Sequence, residues 1–394
     1  MARLIFSSSF ALILACNPLP LTVSHPVVPD SGPSVINLLG LPPGLAIATY
    51  DGEQLSLQSV SDGYRLELPV RPPGRYALAV DDFAAEIQVV SGQLNVYVLD
   101  VDQGDATLIQ TPAGEAILVD SGPPEAAPAL RQALEGYGVV ALDLAVATHM
   151  DADHIGGFPA LVAGADGQVG TADDLYVRQW RDSGDADICT SQACAAYRSV
   201  ASGRQQIEPA DDFERLGGFE MRTLVRAGEV LGAGIVPASG DVPASTADDN
   251  ARSVVLELRL NGFTMLLMGD VTGGGLGSPD VEGLMLQKVG RVDVLKGGHH
   301  GSRTSSSQAF VAATAPRVSL LSFGDDNRHC HPVKEVVDRL GATGWVYGTN
   351  GAPSAGCPAW TWPARGRNDC GDIHIHSAKG GNFTVRCAGD ETTF

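Results

Sequence analysis

The chain has 394 residues, 44% hydrophobic and 18% charged, with a formal net charge of −20 at pH 7. At roughly 100–200 residues per domain, this length predicts two domains, or one large and one small, with apolar content enough for a sizeable core. So acidic a surface excludes a broad basic face for polyanions and suits an exported protein or a cation binder.

Residues 1–16 read as a targeting signal: Arg3 supplies a positive charge, and the mostly apolar run Leu4 to Ala15 is too short to span a bilayer. The run ends in Ile13-Leu14-Ala15-Cys16 and is similar to a bacterial lipoprotein signal, which implies lipidation of Cys16 and a membrane anchor. The alternative is an ordinary cleaved signal. Beyond Cys16 the cysteines are Cys189, Cys194, Cys330, Cys357, Cys370 and Cys387. An even number in an exported chain predicts disulfides, with Cys189–Cys194 the easiest pair and three pairings open for the other four. A zinc knuckle is disfavoured because no C-x-x-C pair is present.

Residues 17–34 are rich in Pro, Val and Ser without helical period, and predict a tether. Residues 35–92 show short alternating runs, such as Tyr64-Arg65-Leu66-Glu67-Leu68, punctuated by Asp51-Gly52, Asp62-Gly63 and Pro72-Pro73-Gly74. They predict a small β-sandwich that serves as a spacer or docking module.

Residues 93–394 mix strands and helices and predict an α/β layered domain. Strands are expected at 94–100, 106–110, 116–120, 142–148, 253–260, 264–268, 292–295, 318–322 and near Ile373 and Phe383. Helices are expected at 126–136, from Ile155, and at 281–289, 305–313 and 332–340. Residues 164–210 read as a polar, irregular insert. Its Asp166, Asp173 and Asp174 among glycines could take calcium, although the spacing is not that of an EF-hand and a solvated loop is the plainer reading. His374 and His376 share one face of a strand, and read as surface residues rather than ligands. Trp360 and Trp362, between Pro358 and Pro363, read as part of a stapled loop packed on the domain, with a platform facing substrate as the alternative.

Chemistry concentrates in Thr148-His149-Met150-Asp151-Ala152-Asp153-His154-Ile155-Gly156-Gly157, directly after a buried strand. Side chains converge where strands leave the core of α/β proteins. His149, Asp151, Asp153 and His154 fall within six residues, a density that a turn or a core histidine does not require.

This run resembles the central motif of the metallo-β-lactamase superfamily. Leu118-Val119-Asp120-Ser121-Gly122, Leu266-Leu267-Met268-Gly269-Asp270 and Lys296-Gly297-Gly298-His299-His300-Gly301-Ser302 resemble its further landmarks, in order. Within it, Val101-Asp102-Gln103-Gly104-Asp105-Ala106, Asn250-Ala251-Arg252-Ser253-Val254-Val255, His299-His300-Gly301-Ser302 with Thr304-Ser305-Ser306, and His329-Cys330-His331-Pro332 resemble the hydrolase domain of ComEC and its free-standing exported relatives.

The resemblance implies an αββα sandwich and two divalent ions, zinc or manganese. His149 and Asp151 would serve one site; Asp153, His154 and one of His299 and His300 the other; Asp270 would bridge. The superfamily's usual second motif histidine is Asp151 here, and no histidine lies between His154 and His299. Asn250, Asp248 or Asp249 would stand in for the missing ligand, and an oxygen-rich set shifts preference towards manganese.

Two ions roughly 3.5–4 Å apart activate a shared water and clamp the oxygens of a displaced group. Asp153 would position that water and Asp120 would orient ligands. His331, with His329, would hydrogen-bond a developing oxyanion or protonate a leaving group. Ser302, Thr304 and Ser305 would offer donors to a phosphate, with N-capping as the alternative for Ser305.

The leading expectation is an exported metal-dependent phosphodiesterase acting on a phosphodiester or other small polar substrate. Nucleic acid is disfavoured by the net charge and would need a local basic groove, for which Arg252, Arg303, Arg328 and Lys296 are the candidates. The alternatives are a hydrolase of an amide, lactone or thioester, and a non-catalytic surface binding protein.

Overall fold

The computed structural model describes residues 19–20, 22–23, 27–29, 34–39, 41–61, 63–71, 74–90, 93–139, 141–171, 173–184, 189–216, 218–235, 250–325, 327–351, 356–377 and 381–394. The 1–16 signal lies outside them, as do Asp248 and Asp249. Among the described residues no helix is long and apolar enough to cross a membrane.

Contacts divide the chain into two units. One takes the described residues up to Gln93 with Pro112–Gly114, and the other Leu94–Thr111 and Glu115–Phe394. The first unit is all-β. One sheet joins Leu19–Pro20, Phe83–Val90, Gly74–Val80, Ile47–Tyr50 and Glu53–Ser56, with Val27–Pro29 also on Phe83–Val90; the other joins Thr22–Val23, Ser34–Leu39, Gly63–Leu68 and Gln58–Val60. Alternation buries one face of Ser34–Leu39, Ile47–Tyr50 and Gly63–Leu68, and Ile36, Leu38, Tyr50, Leu66, Leu78 and Ile87 meet in one core. The stretch 17–34 is a correction to the expected tether: its described part is paired strand. Pro20, Val23, Val27, Val28 and Pro29 lie in short segments at sheet edges, where proline is tolerated.

The second unit has the fold the motifs implied: two sheets face to face with helices outside. One sheet runs Gln205–Gln206, Trp180–Asp182, Leu144–Ala147, Ala116–Val119, Thr107–Gln110, Asn95–Val98, Ile373–Ser377, Phe383–Cys387 and Asp390–Thr393. The other runs Gly234–Ile235, Glu229–Val230, Phe219–Arg226, Val255–Leu260, Phe263–Leu267, Val294–Lys296, Val318–Leu321, Trp345–Gly348 and Gly366–Arg367. Their facing side chains, among them Val96, Ile109, Val146, Phe219, Leu256, Met265 and Val294, form the central core. Ala127–Gly136, Phe158–Val162 and Gln192–Val200 cover the first sheet, and Val281–Met285, Gln308–Thr314 and Lys334–Gly341 the second. In the last helix Val336, Val337 and Leu340 share the buried face, each stabilising the packing by roughly 1.5–3 kcal/mol.

The insert 164–210 is less irregular than expected. Trp180–Asp182 extends the first sheet parallel to Leu144–Ala147, and Trp180, Tyr197 and Phe158 pack ring on ring beneath it. The carboxylates of Asp166, Asp173 and Asp174 accept N–H bonds from their own loop, and no convergent ligand group among the described residues includes them. Cysteine pairing resolves as Cys189–Cys194, Cys330–Cys357 and Cys370–Cys387.

His374 stacks on Tyr97 with ring centroids 4.3 Å apart, and its Nε2 lies 2.9 Å from Asn95 Oδ1. Burial, helped by His376 and Arg386, lowers its pKa to about 4. A histidine held below its unfolded value of roughly 6.5 contributes stability that is complete above that pH and lost as pH falls towards the folded value. His374→Asn should therefore flatten the loss of stability between roughly pH 6.5 and 4, read by urea denaturation across that range; an unchanged slope would contradict it.

Candidate metal centre

The strands Ala116–Val119, Leu144–Ala147, Phe263–Leu267 and Val294–Lys296 end at one edge of the sandwich, and deliver Asp120, His149, Asp270 and the His299–His300 pair there. The chain turns tightly as it leaves them. Asp120, His299 and His300 have φ of 60°, 49° and 54°, in the left-handed region, so the site stores backbone strain that the surrounding packing sustains. Gly157 is required by close approach, since a Cβ there would lie 2.2 Å from the Ser121 carbonyl oxygen.

Asp270 is the focus. Its Oδ2 lies 3.4 Å from His154 Nε2, 3.5 Å from His300 Nε2, 3.9 Å from His299 Nε2 and 4.0 Å from His149 Nε2. Asp151 Oδ2 is 3.7 Å from His149 Nε2, and Asp153 Oδ2 is 3.3 Å from His300 Nε2. Asp151 stands at the N-cap of the helix Ala152–Ile155 without capping it, so its carboxylate is left for the cluster. Four triads among the described residues have ligand atoms within 4.8 Å of one another: His149, His154 and Asp270; Asp153, His154 and His300; and two that include Asp105, one with Asp120 and His154 and one with Asp270 and His300.

The hydrogen-bond network assigns the imidazole tautomers. His154 Nδ1 is 2.8 Å from Asp120 Oδ2 and His300 Nδ1 is 3.1 Å from the Ser322 carbonyl; both partners only accept. His149 Nδ1 meets Thr148 Oγ1 at 3.1 Å and Ser253 Oγ at 3.2 Å. Thr148 donates its proton to Asp120 Oδ2, and Ser253 to the Asn250 carbonyl, so each hydroxyl can only accept from His149. All three imidazoles thus carry the proton on Nδ1 and turn an Nε2 lone pair towards Asp270. Those three buried Nε2 atoms and Asp270 Oδ1 make no hydrogen bond among the described residues. Unsatisfied buried polar atoms are costly, and here they are the donor atoms a divalent ion takes.

The electrostatics agree. Burial opposes charge on His154 and His300, yet Asp270 with Asp120 raises the first well above its ordinary value, and Asp270 with Asp105 raises the second to about 10. Burial would lift the Asp270 and Asp153 carboxyls, but the surrounding imidazoles hold both down. Such a field favours positive charge at the Nε2 focus. A proton satisfies it, and a divalent cation satisfies it while also using the lone pairs.

The structure brings the remaining expected residues together unevenly. Both members of the His299–His300 pair reach Asp270, but only His300 joins the Asp153–His154 triad. His299 Nε2 lies 3.2 Å from Asn250 Nδ2, and its Nδ1 lies 3.3 Å from Thr304 Oγ1, which is 3.1 Å from Ser302 Oγ. Ser305 corrects both expectations for it. Its hydroxyl bonds the Gly298 and Ser302 carbonyls, and Ser307 caps the following helix. His331 is half-buried with its ring 5.5 Å from His299, and burial with the neighbouring histidines lowers its pKa to about 3, so it is a neutral hydrogen-bonding group. His329 is exposed, with its ring 5.7 Å from His331. His374 and His376 take no part.

Lys296 corrects the basic-groove expectation. It is buried, and its Nζ is 2.5 Å from Asp105 Oδ2. Arg303 pairs with Glu335 on the surface.

Several contributors had no role assigned from sequence. Asp105 Oδ1 lies 3.4 Å from His300 Nδ1; Thr148, Ser253 and Ser322 set tautomers; and Asn327 clamps His331, accepting from its N–H at 2.8 Å and donating to its carbonyl at 2.7 Å. Asp105 and Ser253 stand inside runs noted for their resemblance, which was the available signal.

Asp120→Asn should weaken metal affinity by about 10–100-fold without unfolding the protein, because it weakens the acceptor that orients His154. Calorimetric metal titration checks this, and wild-type affinity in the variant would contradict it.

Residues 99–187 match the model of the metallo-beta-lactamase superfamily. Competence protein ComA of Neisseria gonorrhoeae is 30% identical over 65% of this chain and 31% of its own length; ComE operon protein 3 of Bacillus subtilis (strain 168) is 24% identical over 64% and 31%. The chain thus spans about a third of the length of these curated relatives. Among solved structures, Zn(2+)-bound PqqB from Methylobacterium extorquens is 13% identical over 65% of this chain and 86% of that one, with a TM-score of 0.37.

Proposed function

We propose that this chain, which carries a metallo-β-lactamase-fold domain similar to those of ComEC-type competence proteins, is an exported phosphodiesterase whose histidine–aspartate cluster holds two divalent ions. The observation that carries this reading is the convergence of buried, unpartnered Nε2 lone pairs of His149, His154 and His300 on Asp270. His149 and Asp151 would hold one ion, Asp153, His154 and His300 the other, and Asp270 both. Asn250, whose Nδ2 lies 3.2 Å from His299 Nε2, would stand in for the missing histidine ligand, and the oxygen-rich set favours manganese alongside zinc.

Bound ions would acidify a water and neutralise the phosphoryl oxygens. The chain's own residues do the rest. Asp120 and Ser322 fix His154 and His300 through their Nδ1 protons, and Thr148 with Ser253 fixes His149. Asp153, partly exposed and ionised, faces the open side of the cluster and would accept a proton from an attacking water. Neutral His331 would hydrogen-bond the phosphoryl or leaving-group oxygen, held for that by Asn327. Disulfides support export, because such bonds persist in oxidising compartments. A lipid anchor at Cys16 would keep the enzyme at the cell envelope, with residues 35–92 as spacer. A small phosphodiester suits the acidic surface better than a nucleic acid does.

The test is substrate competition at one site. Manganese- or zinc-loaded protein should hydrolyse bis(p-nitrophenyl) phosphate and leave nitrocefin and p-nitrophenyl acetate nearly untouched. Preference for either of the latter would transfer the site to amide or ester chemistry.

A further inference from the structure

Beside the cluster lies a cavity of about 370 Å³, of whose lining the proposed reaction uses His331. His331 lines it and also faces the cluster, so the cavity opens where a substrate's second ester arm would extend. One wall is Trp360, with Pro358 beside it. Trp360 is backed by Trp362 at 5.5 Å between ring centroids, and Trp362 in turn stacks on buried Phe323 at 6.2 Å. This aromatic cluster supports Trp360 from behind, with Trp362 tilted at 44° to it. The lining also includes Leu276, at the tip of the hairpin joining Gly273–Gly275 to Ser278–Asp280, a residue 80% exposed. A leucine so exposed at a glycine-rich tip contributes little to the core, yet it lines this cavity. The Cys330–Cys357 disulfide ties the loop bearing His331 to the segment bearing Trp360, so the reacting end and the ring face are covalently linked. Arg303 and Lys334 also line the cavity.

We propose that this cavity is a preformed subsite for a planar, aromatic ester arm of the substrate, with Trp360 as its stacking face and Leu276 as its apolar edge. The volume sits at the small end of the roughly 300–1,000 Å³ typical of ligand pockets, which suits one ring system rather than a polymer. Stacking supplies selectivity for a flat ring over an aliphatic arm, because the ring quadrupole and the buried area both favour it. This inference rests on the phosphodiesterase reading for the position of the substrate, but the subsite can be tested without turnover.

The experiment is calorimetric binding of phenylphosphonate and methylphosphonate to manganese-loaded protein. The two share the anionic head and differ only in the arm. Wild-type protein should bind phenylphosphonate about tenfold more tightly. Trp360→Ala should bring the ratio close to one with methylphosphonate affinity retained, and Trp360→Phe should keep most of it. Leu276→Gly, at an exposed tip where the backbone is already left-handed (φ 53°), tests the apolar edge without burdening the fold and should reduce the ratio. Equal affinities in the wild type, or a ratio untouched by both Trp360→Ala and Leu276→Gly, would overturn the subsite. Protein that hydrolyses bis(p-nitrophenyl) phosphate without aryl preference keeps the reaction and loses the subsite. Protein with aryl preference and no phosphodiester turnover keeps the subsite and loses the reaction.

Discussion

Asp270→Ala should retain the fold and lose both tight metal binding and turnover, with kcat down by about 10³ or more, since metal assistance is worth several kcal/mol of barrier. Asp270 is the carboxylate within reach of all four histidines of the cluster, at 3.4 to 4.0 Å. Its position is set by the backbone. Gly269 takes φ +50°, where a Cβ would lie 2.8 Å from Ser253 Cβ, and the Asp270 N–H donates to Ser253 Oγ at 3.0 Å. Removing the carboxylate leaves the imidazoles held by Asp120, Ser322, Thr148 and Ser253 but without the anion that joins them. Elemental analysis and calorimetry read the metal, and circular dichroism reads the fold. A variant that keeps two tightly bound ions would remove Asp270 from the centre of the account.

Lys296→Met should destabilise the protein by about 3–5 kcal/mol, the usual cost of stranding one partner of a buried ion pair. The Lys296 ammonium and the Asp105 carboxylate are both buried and 2.5 Å apart. Burial alone would raise the Asp105 carboxyl, but Lys296 and His300 hold it down at about 2, so removing the lysine takes away the largest influence that favours the buried carboxylate. The double variant Asp105→Asn with Lys296→Met leaves no unpaired charge and should recover most of the loss. Urea denaturation of the single and double variants checks both statements. A single variant within about 1 kcal/mol of wild type would mean that water reaches the pair.

The legible part of the site was the local part. His149, Asp151, Asp153 and His154 lie in one run after a strand, and Asp270 and the His299–His300 pair each follow a strand of apolar residues. Strand ends of an α/β layer bring such groups together, so their convergence could be read without coordinates. What the chain did not announce was support from distant sequence. Lys296 reads as a surface cation until Asp105, 191 residues away, is seen against it. Ser253 sets the tautomer of His149 across 104 residues, and Ser322 that of His300. Choosing His300 for the Asp153–His154 triad needed the left-handed backbone at both histidines, which no side-chain pattern encodes.

The fold was legible to a similar depth. The longest strand to escape notice, Phe219–Arg226, alternates buried and half-buried residues along Phe219, Glu220, Met221, Arg222 and Thr223, and that period of two was present in the chain. The insert was harder, because Trp180 and Tyr197 are isolated aromatics in polar sequence and earn their burial only by packing on Phe158. Residues 19–29 pair in segments of two or three residues, too short for any periodicity to show.

The most direct test of the account is restoration of phosphodiester hydrolysis by metal. Protein stripped of metal should be inert towards bis(p-nitrophenyl) phosphate, regain turnover as manganese or zinc is titrated back, and saturate near two equivalents, with Asp270→Ala silent throughout. Stripped protein that binds either ion tightly and still turns over nothing would contradict the proposed reaction.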